Sequence, residues 1–153
     1  MAKITNSIRS FTLVELIIVI IIVGILASLG LTQYEQVVEK SRLVEAKVRI
    51  GVMRQLAYQY YLENGTCTGM TVTDLGINTN TTCSSGSFYR YSLGEHTTYV
   101  NLVSYRCTSG GKNPNTSREY DYALSYHPDT GQACWYCYYT DDHTPCFGLP
   151  SGC

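Results

Sequence analysis

Apolar and polar positions divide the chain into three stretches. From Phe11 to Leu31 only Thr12, Glu15 and Ser28 are polar. At about 1.5 Å per residue, a helix over this run is roughly 30 Å long, the thickness of a bilayer core. From Thr32 to Glu63 there is no Pro, and Leu43, Ala46, Ile50, Met53, Ala57 and Tyr60 recur at helical spacing. Val44, Val48, Val52 and Leu56 flank them, which predicts a broad apolar stripe for packing a sheet. Glu45 and Arg49 are spaced as an i,i+4 pair on the other side of that helix. Asn64-Gly65 supplies a helix stop.

Beyond Asn64 the pattern changes to turns and strands. Residues 65–87 are rich in turn formers and read as a connecting loop with little regular structure. Four strand-like segments follow: SFYRYSLG, TTYVNLVSYRC, REYDYALSY and GQACWYCYYT. Tyr120, Tyr122, Leu124 and Tyr126 alternate with period two. His127-Pro128-Asp129-Thr130-Gly131 supplies a turn, so the last two strands read as a hairpin. Residues 109–117 read as a polar loop. The expected fold class is α+β: a long N-terminal helix, apolar then amphipathic, on a small antiparallel sheet of about four strands.

Charge adds direction. Lys3 and Arg9 are the only charges before the apolar run, so the N-terminus is expected to stay cytoplasmic while the remainder crosses. After Asn64 there are four basic residues against seven acidic ones, a balance that argues against a general nucleic-acid surface. All seven cysteines, Cys67, Cys83, Cys107, Cys134, Cys137, Cys146 and Cys153, lie beyond the span. That placement points to disulfides in an oxidising compartment.

A cleaved secretory signal fits poorly. The apolar run exceeds a typical signal core, and LASLGLTQYEQ leads into more helix instead of a small-x-small cleavage site. A plain membrane anchor explains everything except Glu15, because a carboxylate in hydrocarbon costs a few kcal/mol on insertion scales. Its place near the helix start, at the positive end of the helix dipole, lowers that cost. It still marks Glu15 as a functional candidate.

The stretch SIRSFTLVELIIVIIIVGILASLG resembles the N-terminus of type IV pilins and type II secretion pseudopilins. The matching parts are a short basic leader, Phe11 after a small residue, the run Thr12-Leu13-Val14-Glu15-Leu16, and about twenty apolar residues containing Gly24. The resemblance is close over residues 8–34. It implies that a prepilin peptidase cuts between Ser10 and Phe11 and methylates the Phe11 amine. It also implies a homo-oligomeric helical filament, in which the Glu15 carboxylate of one subunit meets the Phe11 amine of another. Two residues depart from the family pattern: Ser10 stands where Gly is usual, and Thr32 stands where many pilins have Pro. Gly24 and Gly30 are the remaining places where the helix could weaken.

On this reading residues 1–10 are a leader, 11–31 a transmembrane and filament-core helix, 32–63 its amphipathic continuation, and 64–153 a disulfide-bonded extracytoplasmic head. The helix from Phe11 to Glu63 would be about 80 Å long, too long for one small domain to bury. Half in lipid or fibre core and half under a sheet resolves this. A coiled coil is the alternative, but the heptads are irregular and end quickly.

Cys134-Trp135-Tyr136-Cys137 has three readings. A thioredoxin-type site needs a strand-to-helix setting, whereas this CxxC lies in a predicted strand. A zinc site would recruit His143 and Cys146 at short spacing. Structural disulfides are the third and favoured reading. Residues three apart in a strand point to opposite faces, so Cys134 and Cys137 should bond different partners. Cys67 with Cys83 would staple the first loop, and one cysteine of the seven is left odd. As late cysteines do in many pilins, Cys146 or Cys153 is expected to tie the C-terminal tail to the sheet.

The ten tyrosines after Asn64 suit a half-buried strand face. Stacking on sugars, on bases or on each other is the sharper alternative, and no patch for it is visible in the sequence. His96, His127 and His143 lack a neighbouring nucleophile or full metal set, and there is no GxSxG, HExxH or phosphate loop. No enzyme activity, cofactor or metal is expected. Asn64-Gly65-Thr66, Asn80-Thr81-Thr82 and Asn115-Thr116-Ser117 match the N-glycosylation pattern, which arises readily in such loops.

The expected function is therefore a structural subunit of a type IV pilus-like surface filament. Its precursor would sit in the bacterial inner membrane, with the prepilin peptidase and the pilus assembly machinery as partners. The alternatives are a pseudopilin of a type II secretion system, in a periplasmic pseudopilus, and a membrane-anchored extracytoplasmic binding domain that never polymerises. DNA uptake is disfavoured by the acidic head.

Overall fold

The computed structural model describes residues 11–77, 81–116, 118–149 and 151–153. Expectations that fall on residues 1–10, Ser10 among them, and on Asn80 and Ser117 lie outside these. One helix, α1 (Leu13–Asn64), is followed by four strands: β1 (Tyr89–Glu95), β2 (Val100–Arg106), β3 (Tyr120–Tyr126) and β4 (Ala133–Tyr139). The chain forms two compact units, one ending at Val38 and the other comprising Glu39–Cys153.

The first unit carries the apolar length of α1. Its large apolar side chains are exposed throughout, from Phe11 and Leu13 to Leu29 and Leu31. Length and composition make α1 long and apolar enough to cross a membrane. The helix starts at Leu13, two residues later than the sequence suggested, because Thr12 caps it.

In the second unit the C-terminal half of α1 packs with the sheet. Leu43, Ala46, Ile50, Met53 and Ala57 are buried, the stripe that the spacing of apolar residues marks out, and Tyr60 and Leu56 pack partly buried against the same core. The stripe is narrower than expected: Val44, Val48 and Val52 are exposed. Nor does Arg49 pair with Glu45. Its guanidinium donates to the Gly76 carbonyl at 3.3 Å and lies over the Tyr91 ring. The helix ends where Gly65, at φ +72°, takes the left-handed turn and donates its N–H to the Tyr61 carbonyl.

The strands run in the order β1-β2-β3-β4, every neighbour antiparallel. Alternation decides which face is buried. Tyr120, Tyr122, Leu124 and Tyr126 of β3 and Val100, Leu102 and Ser104 of β2 face the core. The β3–β4 hairpin closes through His127–Gln132, with Gly131 at φ +74° donating to the His127 carbonyl. The loop after α1 holds no helix or strand among its described residues, yet it buries Cys67, Met70, Leu75 and Ile77.

The C-terminal tail runs back beside β4. Trp135 and Gly152 exchange both backbone hydrogen bonds, and the Tyr139 N–H donates to the Thr144 carbonyl.

Candidate functional site

The start of α1 holds the residues singled out for processing and assembly. Thr12 precedes the first helical residue, and its Oγ1 accepts a hydrogen bond from the Glu15 N–H at 3.2 Å. In return, the Glu15 Oε2 accepts from the Thr12 N–H at 2.9 Å and from the Thr12 hydroxyl at 2.8 Å. This is a reciprocal capping box, which satisfies donors that every helix N-terminus leaves open. The carboxylate is thus fixed at the positive end of the helix dipole. Among the described residues, Oε1 receives no hydrogen bond, so one carboxylate oxygen is left for a further donor. Phe11 lies just outside the helix, 81 % exposed.

The cysteines make three bonds: Cys83–Cys107, Cys134–Cys153 and Cys137–Cys146. Cys134 and Cys137 do bond different partners, and both of the late cysteines tie the tail to β4. The expected Cys67–Cys83 staple does not form. Cys67 is a buried free thiol, fully shielded in the core. Met70, Leu75 and Ile77 of the loop are buried, and Cys83 bonds Cys107, just after β2. The two CxxC sulfurs are both taken up in disulfides. His143 lies in the turn after β4, where its N–H donates to the Tyr139 carbonyl.

A buried ionic cluster joins helix to sheet. Arg106, at the end of β2, is wholly buried. Its Nε and Nη2 donate to the two carboxylate oxygens of Glu39 at 2.8 and 3.1 Å. Nη1 donates to the carbonyls of Phe88 and Cys107, and Nη2 also donates to that of Asn113. Five N–H donors therefore meet five acceptors, the full capacity of a guanidinium. The Tyr120 hydroxyl donates to Glu39 Oε2 at 3.0 Å and shares a 2.8 Å hydrogen bond with the Tyr89 hydroxyl. Arg42 pairs with the same carboxylate. Burial alone would raise the Glu39 carboxyl, but the Arg106 guanidinium outweighs it, helped by Tyr120 and Arg42, and holds it below its ordinary value. Burial pushes the Tyr89 phenol far above its usual value.

Comparison with known proteins bears on the helix N-terminus. Residues 5–31 match the prokaryotic N-terminal methylation motif. The chain is 42 % identical over 60 residues to a probable minor fimbrial protein of Dichelobacter nodosus, covering 39 % of this chain and 37 % of that one. It is 36 % identical over 72 residues to a fimbrial protein of Neisseria meningitidis, covering 47 % of this chain and 42 % of that one. A type IV major pilin protein of Neisseria gonorrhoeae is 39 % identical over 57 residues, covering 37 % and 34 %. The chain carries this methylation motif and, over about two fifths of its length, is similar to type IV pilin and fimbrial proteins. It spans well under half the length of these curated relatives, 34–42 %. No solved structure matches it.

Two features of this chain escaped the sequence reading. The capping box was legible as Thr12-x-x-Glu15, but Glu15 drew notice for its charge alone. The Glu39–Arg106 pair had no local signature, since its members stand 67 residues apart.

Proposed function

We propose that this chain is a structural subunit of a type IV pilus-like filament, cut between Ser10 and Phe11 and polymerised through its apolar helix. The observation that carries this reading is an exposed apolar helix face headed by a carboxylate that, among the described residues, has one oxygen unused. Such a surface needs cover, from lipid before assembly and from other helices afterwards.

Cleavage would leave a positive amine on Phe11, N-methylated by the peptidase. In the monomer the capping box holds Glu15 in place, and in the filament its Oε1 would accept from the amine of a neighbouring subunit. The pair neutralises two charges inside an apolar bundle. Its contribution is to register more than to net stability, because desolvating both ions offsets most of their attraction. The precursor would sit in the inner membrane and the product in an extracellular filament, with the assembly machinery as partner. Residues 64–153 with the buried half of α1 would then form the head.

The test is the intact mass of the protein in a sheared surface fraction. A chain beginning at methylated Phe11 supports the reading. A chain beginning at Met1 and confined to membranes would replace it with an anchored, non-polymerising domain. Loss of secretion without loss of surface fibres in a deletion strain would favour a secretion pseudopilin.

A further inference from the structure

The outer face of the sheet, away from α1, carries a trough of about 440 Å³. Its floor is β3, where the residues alternating with the buried tyrosines are Asp121, Ala123 and Ser125. Two of these are small, so the floor lies low between its neighbours. On the β4 side stand Tyr136, opposite Ala123, and Tyr138, opposite Asp121. Their rings are 6.1 Å apart and nearly parallel. On the β2 side stands Asn101, opposite Ser125. Tyr99, stacked between His96 and His127, closes one end. The volume falls within the usual range of ligand sites, about 300–1,000 Å³.

Charge in the trough is unbalanced. No Lys or Arg lines it. Among the described residues no side chain hydrogen-bonds or ion-pairs with Asp121; His143 and Glu119 act on it only through space. Burial pushes its carboxyl up, outweighing a hydrogen bond from its own backbone N–H and the attraction of His143. The aromatic rings show the same gap. Cations lie over several rings elsewhere: Arg49 over Tyr91, Arg54 over Tyr126, Arg90 over Tyr105, Lys47 over Trp135 and Arg118 over Tyr139. Among the described residues none lies over Tyr136 or Tyr138, whereas the faces of Tyr99 are taken by His96 and His127.

We propose that this trough binds a cationic amino sugar, a hexosamine oligomer with free amines. The ammonium would pair with Asp121 and meet the tyrosine faces, which attract cations. The pyranose rings offer apolar C–H faces to Tyr136 and Tyr138, and their hydroxyls suit the amide of Asn101 and the hydroxyl of Ser125. None of these residues lies in the apolar helix.

The test is calorimetric titration of the full chain in detergent micelles with a β-1,4-linked glucosamine tetramer. The fully N-acetylated tetramer and spermine serve as competing probes. The glucosamine tetramer is expected to bind at least roughly tenfold more tightly than either, since only it offers both a charge and a sugar ring. Asp121→Asn, which keeps the side-chain shape, should weaken it by roughly tenfold. Ala123→Arg, which fills the floor with a cation, should abolish it while leaving thermal unfolding unchanged. Equal binding of the N-acetylated tetramer would overturn the charge assignment, and equal binding of spermine the sugar assignment. Undiminished binding to both variants, or no binding to the native chain, would overturn the site.

Discussion

Arg106 and Glu39 meet in a two-pronged ion pair, 2.8 and 3.1 Å long, that fastens β2 to the helix across 67 residues of sequence. A wholly buried guanidinium is tolerable only because every N–H has an acceptor. Removing one partner strands the other. Arg106→Met should cost about 3–5 kcal/mol, whereas the double change with Glu39→Met should cost less than the sum of the two single changes. Denaturant unfolding of the four proteins in detergent measures the coupling, and strict additivity would show the pair to be incidental.

The same pair sets an acid limit. Glu39 is held below its ordinary value of 4.5, so the unfolded chain binds its proton more readily than the folded one does. Its stabilisation is complete above that value and is lost as pH falls through the lower, folded one. Thermal midpoints measured from neutral pH to pH 2 should therefore drop along an acid limb. Glu39→Gln should lower the neutral midpoint and flatten that limb. An unaltered limb would assign the acid sensitivity to other carboxylates.

Glu15 can be asked whether it caps or pairs. Gln serves in a capping box as well as Glu does, but it carries no charge. Under the proposed function, Glu15→Gln preserves the helix start and still blocks filament formation, as Glu15→Ala does. Counting fibres in a sheared surface fraction decides the matter. Normal fibre yield from Glu15→Gln would reduce the residue to a cap.

Thiol accessibility tests the covalent framework. The folded protein should take up no alkylating reagent, because Cys67 is shielded in the core. Unfolded without reduction it should take up one equivalent, and after reduction seven. Intact mass gives each count directly. Three equivalents without reduction would mean that one disulfide had not formed.

The exposed valines supply a further check on assembly. Val44, Val48 and Val52 lie one turn apart on a face of α1 that the sheet leaves bare. Val48→Lys should shift unfolding stability by no more than about 0.5 kcal/mol, as exposed substitutions do. If that face is covered in the fibre, the same change should cut filament yield sharply.

Much of this was legible from local pattern. The apolar run, the 3.6-residue stripe from Leu43 to Ala57, the Asn64-Gly65 stop and the alternating tyrosines of β3 each declare one element within a short window. The sugar-stacking alternative for the tyrosines could not be placed, because it needs β2, β3 and β4 side by side. Cys67 misled because loop cysteines were paired by nearness in sequence, whereas Cys83 bonds a cysteine 24 residues on and Cys67 is buried in the core. The valine face misled in the opposite sense: apolar spacing shows what a helix could bury, and the width of the sheet sets what it does bury.

The tail beside β4 bears on how the heads can meet. An edge strand with free N–H and C=O groups is a template on which another chain can add a strand. Here the residues around Gly152 and Thr144 already occupy positions along that edge, and two disulfides fasten them there. On this side the head is closed to sheet extension. Reduction would free the edge and open a strand-by-strand mode of aggregation on this side of the head.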